Sequence, residues 1–355
     1  MKILTSKTDF VLPEQASSTE IVDPTADQPW QQQLKLAIRR LDDLLSRLKL
    51  TDQDTSHPFQ SPIRAIKQFP VFVPLPFFQR MEPGNWDDPL LRQVLPIPAE
   101  DDLTSGYTVD PLQEITAVQK PGLLHKYQGR VLLVTTGACA IHCRYCFRRH
   151  FPYQDSPKSI EQWSEAIQQI SRDPSIEEVI LSGGDPLMLV DSTLHQLLER
   201  LQQIPHLQRL RFHTRLPIMI PQRIDTDFLD LLRSTRFRLV MVIHANHAQE
   251  IDSAVAQSLF RLSQAGVTLL NQSVLLRGVN DDPQTLIRLS QRIFECGVIP
   301  YYLHKNDPVQ GTAHFEVSTE RGLQLIQAMH ASLPGYLVPR FVQEIAGEPG
   351  KVVLG

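Results

Sequence analysis

The chain has 355 residues, a net charge of −4, 42% hydrophobic and 21% charged residues. Such a composition suits a globular protein with one large domain or two smaller ones, and gives no electrostatic case for nucleic acid or an anionic membrane. No apolar run reaches the roughly 18 residues of a membrane span, and Met1–Gln15 lacks a signal-peptide core. A cytoplasmic protein is expected.

In chain order, a helix is predicted from Asp27, with Asp27 as its cap, Pro29 in its first turn and Leu34, Ile38, Leu41, Leu45 and Leu48 on one face. Between Pro58 and Pro121 prolines recur every few residues, so regular elements there must be short. Residues 1–125 therefore read as a helical and irregular N-terminal region. Beyond it, strands are predicted at 130–135, 178–182, 209–213, 238–244, 268–274 and 299–303. Helices are predicted at 159–171, 191–204, 225–233, 252–265, 283–296 and 319–332. Alternating strands and helices imply a parallel sheet with right-handed crossovers. Six repeats predict an α/β fold, an open (β/α)6 partial barrel over residues 126–333, with 334–355 as a C-terminal segment. Function belongs at the C-terminal ends of such strands.

Of the four cysteines, Cys139, Cys143 and Cys146 fall within eight residues, in C-x3-C-x2-C spacing just after the first predicted barrel strand. Three thiolates suit a four-iron cluster with one iron left open for a substrate. The competing reading is structural zinc with His142, His150 or Cys296 as fourth ligand, but zinc sites usually present a second spaced pair, and none exists here. The second strand ends in Gly183-Gly184-Asp185, where glycines allow close approach of a ligand and Asp185 can receive an ammonium.

The cysteine spacing, Tyr145 before the last cysteine and the strand context resemble the radical S-adenosylmethionine family. The resemblance implies a [4Fe-4S] cluster whose open iron binds S-adenosylmethionine, with Gly183, Gly184 and Asp185 near its methionyl amino group. Further stretches (125–130, 146–149, 221–224, 243–247, 271–281, 301–302, 335–339 and 347–351) are similar to the lysine 2,3-aminomutases, above all the short type that makes (R)-β-lysine for elongation factor P. That similarity implies pyridoxal 5′-phosphate as second cofactor, L-lysine as substrate, and a functional link to elongation factor P and its lysyl ligase.

Residue by residue, Lys351 resembles the lysine that holds pyridoxal phosphate covalently. Taken alone it is a tail lysine, although apolar Val352–Leu354 favour docking of the tail. Arg130 and Gln272 resemble residues on the cofactor's phosphate side, with Lys126 where relatives have arginine. Arg148 resembles the arginine that clamps the substrate carboxylate. Asp307 and Glu344 resemble two acids holding the substrate ε-ammonium; read alone, Asp307 is a helix cap before Pro308 and Glu344 a solvated surface acid. The longer type has aspartate at the Glu344 position and a zinc-binding cysteine at Asp282, so no structural zinc is expected. The chain stops just past Lys351. Cys296 is left as a buried thiol, and the oligomeric state is not legible.

Overall fold

The computed structural model describes residues 28–50, 63–153, 157 and 159–355. Asp27 and the Met1–Gln15 segment lie outside the described residues. One open sheet of ten strands runs in sequence order: β1 Val118–Lys120, β2 Leu123–Tyr127, β3 Arg130–Thr136, β4 Glu178–Gly183, β5 Arg209–Thr214, β6 Arg238–Ile243, β7 Thr268–Leu275, β8 Ile299–Lys305, β9 Arg340–Gln343 and β10 Val352–Val353. From β3 to β9 every neighbouring pair is parallel. The expected six-stranded partial barrel is β3–β8.

Three additions were not foreseen. β1 and β2 pair antiparallel ahead of β3, so residues read as irregular belong to the sheet, and β2 crosses the expected boundary at 125. β9 follows the last helix as a further parallel strand, and β10 folds back on it, pairing Val352 with Gln343. These strands are too short and too mixed in polarity for a period of two to reveal them.

The crossover helices are α1 Ser164–Arg172, α2 Asp191–Gln202, α3 Thr226–Arg233, α4 Ser253–Gln264, α5 Pro283–Glu295 and α6 Thr319–Ser332. Helix α2 buries Leu194, Leu197, Leu198 and Leu201, the stripe expected of a helix laid on a sheet. Asp225, Asp252 and Asp282 stand just outside α3, α4 and α5, each accepting a backbone N–H from the first turn. Asp282 is thus a helix cap.

The predicted N-terminal helix is broken. Trp30–Lys35 and Leu41–Arg47 are separate helices, because Ile38 exchanges backbone hydrogen bonds with Val73 (2.8 and 2.9 Å). The face turns accordingly: Leu44 is fully buried and Leu41 and Leu45 only partly. Trp30, Leu44, Phe77 and Leu90 join Leu181 and Phe212 of the sheet in one core. Among the described residues no helix is long and apolar enough to cross a membrane.

Candidate active site

The cysteines lie on the loop that leaves β3, and the end of β4 is pressed against that loop. Gly184 N–H donates to Thr136 O (2.7 Å) and Asp185 N–H to Ala138 O (2.8 Å). A Cβ on Gly184 would stand 2.3 Å from Ala138 O, and Gly183 has φ +119. The glycines therefore admit the backbone of the cysteine loop, and Asp185 is committed there too. Its Oδ1 accepts from Leu187 N–H and Thr214 Oγ1 (3.0 and 2.7 Å), and its Oδ2 from Arg215 and Leu216 N–H (2.7 and 3.0 Å). Four hydrogen bonds use the lone pairs of a carboxylate. Asp185 thereby fixes the ends of β4 and β5, a structural role its sequence setting does not announce.

From the other side the loop is gripped by the N-terminal region. Arg144 N–H donates to Gln93 O (2.8 Å) and His142 N–H to Phe72 O (3.1 Å). Buried Glu100 accepts from both Arg144 (Nε, 2.9 Å) and Arg149 (Nη2, 2.8 Å), the arginines on either side of Cys146. His142 Nδ1 meets Pro70 O at 2.8 Å, His150 Nε2 meets Gln310 O at 3.1 Å, and Cys296 caps α5 within the core. The candidate fourth zinc ligands are thus engaged elsewhere. Among the described residues no three His, Cys, Asp or Glu side chains gather as a single ion requires, whereas a cluster spreads its thiolates over separate irons. Burial pushes the Cys139 thiol well up, and pushes Cys146 up to about 11, with the neighbouring thiols adding to both.

The cysteine loop roofs one end of a cavity of about 440 Å³ that runs along the inner face of the sheet. All thirteen residues singled out from the sequence line it: the three cysteines, Gly183, Gly184, Asp185, Lys126, Arg130, Arg148, Gln272, Asp307, Glu344 and Lys351. The site is deeper than strand ends alone, since Arg130 is the first residue of β3.

At the far end the tail docks. β10 carries Lys351 back to the sheet, and its Nζ donates to Glu344 Oε2 (2.7 Å). Gly322 in α6 lets Phe341 of β9 approach so closely that a Cβ would meet its ring at 2.3 Å, which seats β9 and the strand paired with it. Lys126 Nζ donates to Glu344 Oε1 (3.1 Å) and to Glu114 Oε1 (3.2 Å). Glu114 in turn accepts from Arg148 Nε (2.6 Å) and Nη2 (2.8 Å), while Arg148 Nη1 donates to Ser182 Oγ (3.1 Å). Arg148, Glu114, Lys126, Glu344 and Lys351 thus form a line of alternating charge. Burial alone would raise the Glu344 carboxyl; the Lys351 and Lys126 ammoniums together hold it well below the usual carboxylate range. Among the described residues no cation forms an ion pair with Asp307. Burial, with Glu344 adding and Lys351 opposing, pushes it up to about 7. It caps no helix, and Glu344 is not a solvated acid.

Sequence reasoning missed Glu114, Arg215, His213, His244 and His304. His244 lies in the family-like stretch 243–247 but was given no role, and the others stand outside any spacing motif. The three imidazoles line the cavity, and burial holds all of them neutral, His244 down to about 3 with Arg215 and Lys351 reinforcing.

A family model, the Radical SAM superfamily, matches residues 133–289. L-lysine 2,3-aminomutase of Haemophilus influenzae is 48% identical over 327 residues, 92% of this chain and 96% of that protein. The Escherichia coli protein of the same name is 46% identical over 92% of this chain and 94% of its own length. The chain belongs to the L-lysine 2,3-aminomutase family. L-lysine 2,3-aminomutase of Clostridium subterminale is 33% identical over 91% of this chain and 76% of its own length.

Membership implies a [4Fe-4S] cluster, S-adenosylmethionine and pyridoxal 5′-phosphate, and the residues present fit them. One end offers three thiols on one loop. The other offers an amine, two cations and the Gln272 amide. Five buried polar atoms without a partner, Gln272 Oε1, Asp307 Oδ1 and Nε2 of His213, His244 and His304, belong to residues of the cavity wall. Orphaned buried groups cost free energy unless a ligand meets them.

Proposed function

We propose that the chain is an L-lysine 2,3-aminomutase that works in the cytoplasm, with its cluster on Cys139, Cys143 and Cys146 and pyridoxal phosphate on Lys351. The observation that carries this reading is the single cavity: the thiols stand at one end and the amine at the other, with Arg148 and the two acids also on its wall. Once bound, the cofactors supply a hydrogen-abstracting radical and a conjugated carrier for the migrating nitrogen.

The protein positions and excludes water. Lys351 anchors the pyridoxal ring, while Lys126, Arg130 and Gln272 serve its phosphate side. Glu114 takes the Nε–Nη2 edge of Arg148, leaving Nη1 to reach a substrate carboxylate beside Ser182. Asp307 and Glu344 receive the substrate ε-ammonium, and two acids select a cationic side chain over an anionic one. Gly183 and Gly184 keep the β4 end flush with the cysteine loop and would hold the methionyl amino group of S-adenosylmethionine there.

The reading is tested by anaerobic incubation with L-lysine, S-adenosylmethionine, pyridoxal phosphate and dithionite, with chiral separation of the product. β-Lysine is expected from the unaltered chain and none from Lys351→Ala. Loss of pyridoxal absorbance and of S-adenosylmethionine cleavage in the unaltered chain would leave only a metal or iron–sulfur protein. Arginine and ornithine belong in the same assay, because Asp307 and Glu344 accept any cation; equal turnover of either would replace lysine as the substrate. The (R) isomer and its use on elongation factor P extend the reading, supported by similarity to the short type. Mass spectrometry of the factor after incubation with product and lysyl ligase checks that extension.

A further inference from the structure

Arg215 opens the turn after β5 and is buried at 7% exposure. Its Nη1 donates to the Cys143 thiol at 2.8 Å. Its Nη2 donates to Gln93 Oε1 (2.5 Å) and Glu250 Oε2 (2.9 Å), and its Nε to His244 O (3.3 Å). Asp185 holds its backbone N–H, and the guanidinium lies 5.6 Å from the ring centres of Phe77 and Tyr145. Glu250 is fully buried, and its Oε1 accepts from the Asn246 and His247 amides (2.9 and 3.1 Å) and from Gln93 Nε2 (3.0 Å). A fixed cation therefore faces one thiol of the cysteine loop, with a fixed anion behind it.

We propose that Arg215 is a positioning residue that sets the reduction potential of the cluster through Cys143, with Glu250 as the opposing charge. This rests on the assignment of the cluster to the three cysteines. Reduction adds an electron to a cluster already carrying thiolate charge. A hydrogen bond and a positive charge at a ligand sulfur favour the reduced form and raise the potential, and water-poor surroundings strengthen the effect. Glu250 acts in the opposite sense. Only a forked guanidinium meets sulfur, amide and carboxylate together; a lysine ammonium is a single point. Gln93, from the N-terminal region, belongs to this arrangement, which gives part of that region a task at the cluster.

The test uses the full chain reconstituted anaerobically with iron and sulfide, and a redox titration followed by electron paramagnetic resonance of the reduced cluster. Arg215→Gln is expected to shift the potential negative, Arg215→Lys less so, and Glu250→Gln to shift it positive, with iron content unchanged. Opposite shifts are the signature, since a merely structural role would move neither potential in a charge-dependent way. Shifts of the same sign, or none, overturn the proposal. An unmoved potential with weakened S-adenosylmethionine binding overturns it too and makes Arg215 a ligand contact. Should Arg215→Gln lose its iron, Glu250→Gln decides: a positive shift supports the proposal and any other result defeats it. An unaltered chain that takes up no iron at these thiols would defeat the cluster assignment itself.

Discussion

The two ends of the cavity are built on different plans. The thiol end is contiguous in sequence, one loop from 137 to 149, but it is held by distant partners: Gln93 and Glu100 before it, Asp185, Arg215 and Glu250 after it. The amine end is scattered, with Lys126 and Gln272 on strands β2 and β7 and Asp307, Glu344 and Lys351 just outside the ends of β8, β9 and β10. There the functional groups mostly hold one another, Lys351 and Lys126 on Glu344. A contiguous site exposes its chemistry in a motif and hides its supports. A dispersed site does the reverse, and its supports are its own reactive groups.

The sharpest way to break the comparison is to empty each end separately. Cys146→Ala should abolish the iron–sulfur absorbance and deoxyadenosine formation while pyridoxal absorbance stays. Lys351→Ala should do the converse, losing the pyridoxal band with iron content unchanged. If either change empties both ends, they are one cooperative unit, and the contrast is wrong. Next in size, Arg148→Met leaves Glu114 with only Lys126 as counter-ion. Removing one partner of a buried pair costs about 3 kcal/mol, so the melting temperature should fall clearly, and an unchanged value would show that the pair is solvated.

Asp307 gives a pH signature. Its folded value of about 7 lies above that of a free carboxyl, so below pH 7 it is neutral and a poor ammonium receptor. The KM for lysine should fall as pH rises through 7, and Asp307→Asn should flatten that dependence. The same sign makes the folded chain bind the proton more tightly than the unfolded one, so this group lowers stability progressively as pH climbs from about 4 to about 7. A stability profile that rises over that window in the unaltered chain relative to Asp307→Asn would contradict the assignment. The smallest effect should come from Gly184→Ala, whose Cβ would press on Ala138 O. Overpacking of this kind costs about 1–3 kcal/mol, and calorimetry with iron content measures whether strain at β4 reaches the cysteine loop.

The repeat of strand and helix was legible because each strand is a buried apolar run and each helix carries a stripe, as α2 does. The cluster loop was legible from spacing, and the dispersed residues only through resemblance. What stayed hidden has physical causes. Glu114 and Arg215 act through partners 34 and 72 positions away, and nothing local distinguishes a buried counter-ion from a surface charge. The broken N-terminal helix was invisible because Ile38 fits the apolar face, yet its backbone is claimed by Val73. Asp185 looked like a free acid because its four donors lie across two loops.

The docking of β10 on β9 also fixes an order of assembly. In a chain made from its N-terminus, every barrel strand and the whole cysteine loop emerge before Lys351, and Glu344 waits beside β9 for it. A ribosome-bound chain halted before residue 351 has the iron-binding loop but no amine to anchor the pyridoxal ring. With pyridoxal phosphate assigned to Lys351 as proposed, its absorbance band in a purified sample would count the chains whose synthesis has reached that residue, just ahead of β10.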